Sequence, residues 1–149
     1  MMSHVRKQIR DKVVAVLLPA VTLVKRRIYG SRVYPLTATN IPAVLVYTRS
    51  ESSGLLSFGS SVSSDRMLSL SIDVYVRATE AFDNDLDAIC VQIEEAIAAN
   101  FRLDGLAKES VLTGTEIEYN GDAEQPIAVA RLTYGIRYVT TIGDVETAR

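Results

Sequence analysis

The sequence predicts an α+β fold: a single mixed or antiparallel sheet of four to five strands, with two helices packed on one of its faces, in the order α-β-β-β-α-β-β. Three observations carry that prediction. Leu68, Leu70, Ile72, Val74 and Val76 alternate with Ser69, Ser71, Asp73, Tyr75 and Arg77, the period of two that marks a strand with one apolar face. Leu86, Ile89, Cys90, Ile93, Ala96 and Ile97 recur instead at helical spacing, opposite Asp87, Glu94 and Glu95. Strand patterns also come in runs set apart from the two helical segments, which favours one sheet over a series of βαβ units.

Taken in order, Ser3 is placed to cap a first helix on which Val5, Ile9, Val13, Val16 and Leu17 form the apolar side. Pro19 lacks the amide that a further turn needs and stops it. Leu23 to Tyr29, broken by Lys25, Arg26 and Arg27, reads as a short strand near a sheet edge. Residues 31–42 hold two prolines and read as a loop into an apolar strand from Ala43 to Arg49.

Ser50 to Asp65 is rich in serine, contains Gly54 and Gly59, and is expected to be a long loop. A plain linker has no need of Leu55, Leu56 and Phe58, so those three are expected to order on contact with a neighbour. After the strand from Leu68 to Arg77, Asp83 or Asn84 is placed to cap the second helix, which runs to about Asn100. Val111 to Tyr119 and Ile127 to Thr141 read as a closing hairpin joined across Asn120-Gly121.

Composition narrows the function classes. With 149 residues, 48% of them apolar, one domain spanning residues 1–149 buries a core without metal or disulfide support. Sixteen basic and 18 acidic residues, read as mixed along the chain, give a net charge of −2 and no basic field for nucleic acid. Cys90 is the sole cysteine, so no internal disulfide forms, and a reducing interior is the simplest fit. The longest apolar run, Val13 to Val21, is interrupted by Pro19 and falls short of the roughly 20 residues of a membrane span. The expectation is a soluble protein that is not exported.

Catalytic and ligand chemistry fares poorly. His4 is the one histidine, beside a segment expected to fray, where nothing fixes its tautomer. Cys90 lies on the apolar stripe of a helix, where cysteine packs as a small hydrophobe. Asp83, Asp85, Asp87 and Glu94 match positions 1, 3, 5 and 12 of a calcium loop, yet Ala88 replaces the glycine required at position 6. Helical spacing would also point these carboxylates along different faces; in a first turn they complement the helix dipole.

Gly54 and Gly59 have phosphate-loop spacing, but Ser60 and Ser61 stand where lysine and hydroxyl residues are needed. No catalytic residue, metal or cofactor is therefore assigned. Arg77, Arg131 and Arg137 on strand faces read as an interface, or equally as solvated cations.

With catalysis set aside, the arrangement of elements becomes informative. The short first helix, the turn Arg32-Val33-Tyr34-Pro35 and the strand start Ile41-Pro42-Ala43-Val44-Leu45-Val46-Tyr47 resemble the tail terminator proteins of long-tailed bacteriophages, the minor tail protein U-like or tail completion family. The resemblance continues through Leu68 to Arg77, Leu86 to Ala98, Leu112-Thr113-Gly114-Thr115 and Arg131 to Tyr138, spanning roughly Ile9 to Ile142. It implies a structural virion protein without enzymatic activity or cofactor. Such proteins form a ring, usually of six copies, on the head-proximal end of the tail tube. The ring stops tube growth and offers a docking surface to the head connector, while DNA passes through its lumen without sequence-specific binding.

It further implies assembly in the bacterial cytoplasm; the residue reading itself offers Leu55, Leu56, Phe58, Arg77, Arg131 and Arg137 as candidate interface residues. Two alternatives stand beside it. One is another head-tail connector or a tail tube subunit. The other is a small ligand-binding or enzymatic domain using Asp73, Arg77, Arg131 and Arg137.

Overall fold

The computed structural model describes residues 2–33, 40–58, 61–120 and 126–149, and of residues 57, 58 and 61 the backbone alone. Tyr34, Pro35, Gly59, Ser60 and Gly121, singled out above, lie outside the described residues. Helix α1, Val5–Ala20, buries Val5, Ile9, Val13 and Leu17, one residue per turn. Its cap is His4 and not Ser3: the His4 Nδ1 accepts from the Arg6 amide at 3.0 Å, which fixes the tautomer with the proton on Nε2. Pro19 sits in the last turn, and the helix ends one residue later.

The strand expected over Leu23 to Tyr29 shrinks to β1, Ile28–Tyr29. Thr22–Val24 forms a 3-10 turn, and Lys25 and Arg26 take left-handed φ values of 50° and 66°, which breaks any extended run before Ile28. β1 pairs in parallel with Val44 and Leu45.

Ser50 to Asp65, expected as a loop, is instead the far half of a hairpin made by β2, Ala43–Phe58, and β3, Ser61–Arg77. Pairing runs from Ala43 opposite Tyr75 to Phe58 opposite Ser61, with a bulge between Thr48 and Ser50. Arg49 is the extra residue, and it reverses the side-chain phase. Val44 and Val46 face the core before it; Glu51, opposite Leu68, takes up that face after it.

Helix α2 spans Phe82–Ala99 and buries Leu86, Ile89, Cys90, Ile93, Ala96 and Ile97. Its N-cap is Ala81, without a side-chain cap, and Asp83 and Asp85 occupy the first turn, where they complement the helix dipole. The calcium-loop quartet thus lies on a regular helix.

The remaining strands are β4, Glu109–Asn120, β5, Ile127–Thr141, and β6, Asp144–Ala148, the last absent from the sequence reading. Gly143, at φ 89°, lets the chain reverse between β5 and β6 in two residues. Six strands result, one or two more than expected, in the order β1-β2-β3-β5-β4, with β6 pairing β5 beyond the end of β4. A second bulge, at Thr113 of β4, puts its methyl 3.3 Å from where a Cβ would stand on Gly135, so glycine suits that position.

Residues of β2, β3 and β5 that share one sheet face join the buried residues of α1 and α2 in a single apolar cluster. α1 lies against β1 and β2, and α2 lies against β3, β4 and β5. Among the described residues no helix is long and apolar enough to cross a membrane.

Two tests follow from this architecture. Ile72 is fully buried at the centre of β3, so Ile72→Ala is expected to cost about 2–5 kcal/mol in urea unfolding, the range for a cavity in a packed core. The pKa of His4 is held below its usual 6.5, chiefly by partial burial and then by Arg6, against an opposing pull from Glu51. A lowered folded-state pKa favours the fold while the ring is neutral; that contribution is complete above about pH 6.5 and is lost as pH falls through the lowered value. Melting temperature is therefore expected to fall from pH 7 to 5, and to fall less in His4→Asn, which caps without titrating.

Candidate functional site

The residues with catalytic potential are committed to structure. The acceptor nitrogen of His4 is taken up by the helix cap. Cys90 is buried, and burial followed by Glu94 and Asp87 pushes its thiol up to about 11, far from a ready nucleophile. Among the described residues no three His, Cys, Asp or Glu side chains are grouped to hold a metal ion. The apolar groove beside α2, bounded by Leu23, Pro42, Val76 and Ile89, is open, with Arg77 and Asp85 among its lining.

Two carboxylates organise the polar interior, one on each side of the sheet. Asp73 is 1% exposed on the face that the alternation of β3 marks as wet. It accepts from Arg131 through two bonds, Nε to Oδ1 at 3.1 Å and Nη2 to Oδ2 at 3.3 Å. The Tyr47 hydroxyl donates to Oδ2 at 2.8 Å and the Ser71 hydroxyl to Oδ1 at 2.9 Å. Four donors thus satisfy the anion, and Asp73 holds the Arg131 guanidinium further above its ordinary pKa, first by hydrogen bonding and then by charge. The Arg32 guanidinium lies over the Tyr47 ring, 4.9 Å from its centroid.

On the helix side, the Glu51 side chain is 9% exposed. It accepts from Arg6 Nη1 at 2.8 Å and Arg66 Nη1 at 3.1 Å, and from the Tyr138 hydroxyl. Burial, and then the contact with Glu51, pushes Tyr138 up to about 12. The cluster ties the first turn of α1 to the hairpin and to β5, where the apolar core gives way to polar side chains.

The candidate interface residues are therefore not one patch. Asp73 and Arg131 come together, while Arg137 stands six residues along β5, about 20 Å away at ~3.3 Å per residue, and pairs with Asp65 at 2.8 Å. Arg77 is exposed at the far end of β3, opposite Ile127. Leu55 is 76% exposed on the outer part of β2, and Leu56 is half-buried; both are already in a strand, contrary to the expected loop that orders on contact. The side chain of Phe58 lies outside the described residues.

Sequence reading placed an edge strand at Leu23 to Tyr29, but missed that β4 and the far half of β2 are the open edges. β4 ends the sheet order and is exposed along most of its length, including Val111, Ile117 and Tyr119. β2 meets β1 at Val44 and Leu45, and among the described residues no strand pairs its outer side beyond them. Edges of this kind are templates for pairing with another chain. Val111, Ile117 and Tyr119 mark 109–120 as a strand in the sequence, but nothing there says that it ends the sheet.

Arg131→Met is expected to destabilise the protein by about 3–5 kcal/mol, because it leaves a buried carboxylate without its cation. Asp73→Ala/Arg131→Met is expected to cost clearly less than the two single changes added together. A double-mutant cycle in denaturant measures the coupling, and additive costs would mean that the pair contributes nothing of its own.

A model of the phage minor tail protein U family matches residues 4–138. A chain of the solved virion of a native gene transfer agent particle is similar at 16% identity over 83% of this chain and 90% of that one; its TM-score of 0.36 is too low to carry an argument. A search of curated proteins finds no significant match. The family match covers nearly the whole sequence, and the chain belongs to the phage minor tail protein U family.

Proposed function

We propose that the chain is a tail terminator: a structural subunit, acting without catalysis, that forms a ring of six copies on the head-proximal end of the tail tube. The ring halts addition of tube subunits and offers its other face to the head connector, with DNA passing through the lumen. Membership of the minor tail protein U family supports a tail component. The observation that carries the ring is the presence of two open strand edges, one on each side of one sheet. Contacts between unlike surfaces close into a ring when the rotation between copies is fixed, and otherwise grow into filaments.

Leu55 and Leu56, together with Phe58, Arg77, Arg131 and Arg137, remain assigned to contacts in the assembly. The exposed side chain of Leu55 suits such a contact directly. For Arg131 and Arg137 the role is indirect, since each already neutralises a carboxylate of its own chain.

Mass measurement in solution, followed by incubation with growing tail tubes, tests the proposal. The expected result is a closed ring or a monomer in isolation, and tubes that stop lengthening once the protein is added. Long cylinders formed by the protein alone would instead identify a tube subunit.

A further inference from the structure

The charges read above as mixed along the chain are in fact divided. Residues 1–50 carry nine basic side chains and one acidic one, while residues 51–149 carry seven basic and 17 acidic. Folding places this division across the sheet. Residues 25–49, a range that includes β1 and the first part of β2, contain Lys25, Arg26, Arg27, Arg32 and Arg49 and no acid; β4, at the other end of the strand order, contains Glu109, Glu116 and Glu118 and no base. Lys25, Arg26 and Arg49, and all three glutamates, are exposed. The described ion pairs of the chain involve none of these eight residues.

We infer that copies of this chain join head to tail, the acidic β4 edge of one lying along the open β2 edge of the next, at whose β1 end Lys25, Arg26 and Arg49 are exposed. The inference rests on the ring reading above and names its interface.

Strand direction supports it. β2, β3, β5 and β4 are successively antiparallel, so β2 and β4 run in opposite directions. A rotation about an axis along the strands then sets the β4 of one copy antiparallel to the β2 of its neighbour, continuing the sheet. Length agrees as well, because residues 109–119 of β4 and residues 46–56 of β2 are equal in number and each contains one bulged residue. Aligned along that length with like faces together, Glu116 falls beside Ser50 and Glu118 beside Tyr47, on either side of Arg49, and the exposed Val111 falls beside Gly54. Like edges brought together would set acid against acid or base against base, so the charge division also selects head-to-tail contact over a two-fold dimer.

The test uses two charge-reversed forms of the full chain, Glu116→Lys/Glu118→Lys and Arg26→Glu/Arg49→Glu. Ring formation is read by mass in solution and by electron microscopy of tube ends. Neither form is expected to assemble alone, whereas an equimolar mixture restores rings in which the two alternate, and wild-type rings weaken as salt rises. All four positions are exposed, so melting curves close to wild type serve as the check on folding.

As a second measurement, Gly54→Cys/Val111→Cys is expected to oxidise into a ladder of linked copies that ends at the ring size. The two positions lie three strands apart, about 14 Å at ~4.8 Å per strand, which prevents closure within one chain. Wild-type rings together with unimpaired rings from each reversed form, or with no linked copies from the cysteine pair, would overturn the inference and leave the ring reading standing. A wild type that forms no ring in solution or on tubes removes both.

Discussion

Everything in this fold hangs on one strand being paired along both sides. β3 meets β2 on one side and β5 on the other over nearly its whole length, and its apolar residues from Leu68 to Val76 supply the centre of the core. Strand registers of this kind leave little freedom, because a slip of one residue would exchange the faces and bring Ser71 and Asp73 into the apolar layer. The two helices have apolar stripes that are stable only against that face.

The buried carboxylates extend the same constraint to places the apolar core does not reach. Asp73 links β3 to β2 through Tyr47 and to β5 through Arg131, while Glu51 links β2, β3, β5 and the start of α1. Ion pairs of this kind are weak sources of net stability, since desolvation cancels much of the attraction. Their effect is on register: each cluster is satisfied in a single alignment of three strands, and an anion left alone in any other alignment is costly.

The sequence made some elements legible and hid others, and local physics accounts for the difference. β3 beyond Leu68, the stripe of α2, and β5 from Ile127 to Thr141 were readable because each keeps one phase from end to end. β2 was cut short at Arg49 because the bulge there reverses the phase, and a serine-rich continuation without alternation looks like a loop when viewed alone. It is a strand because β3 supplies its backbone partners, a tertiary effect that composition does not record. β6 is five residues long with a mixed pattern, and it is held by the end of β5. The cap of α1 was misplaced by one residue, since a histidine that accepts through Nδ1 performs the task usually given to serine.

At the candidate site, residue types gave the arginines and named Asp73 beside them, but not its pairing with Arg131, and left Glu51 and Asp65 unseen as partners. Nothing in the alternation of β3 marks Asp73 as buried, nor Glu51 as the acceptor of two arginines, because both depend on which strands become neighbours. Beyond the edge read at Leu23 to Tyr29, which strands are open was likewise undetermined until the strand order was known.

The lone thiol has a practical consequence. Cys90 points inward from α2 and holds its proton well above neutrality. A thiol-specific dye can therefore react only in the brief moments when that helix lifts from the sheet, and its labelling rate becomes a clock for local opening. No cysteine has to be introduced to follow how breathing of the subunit changes as it takes its place among neighbours.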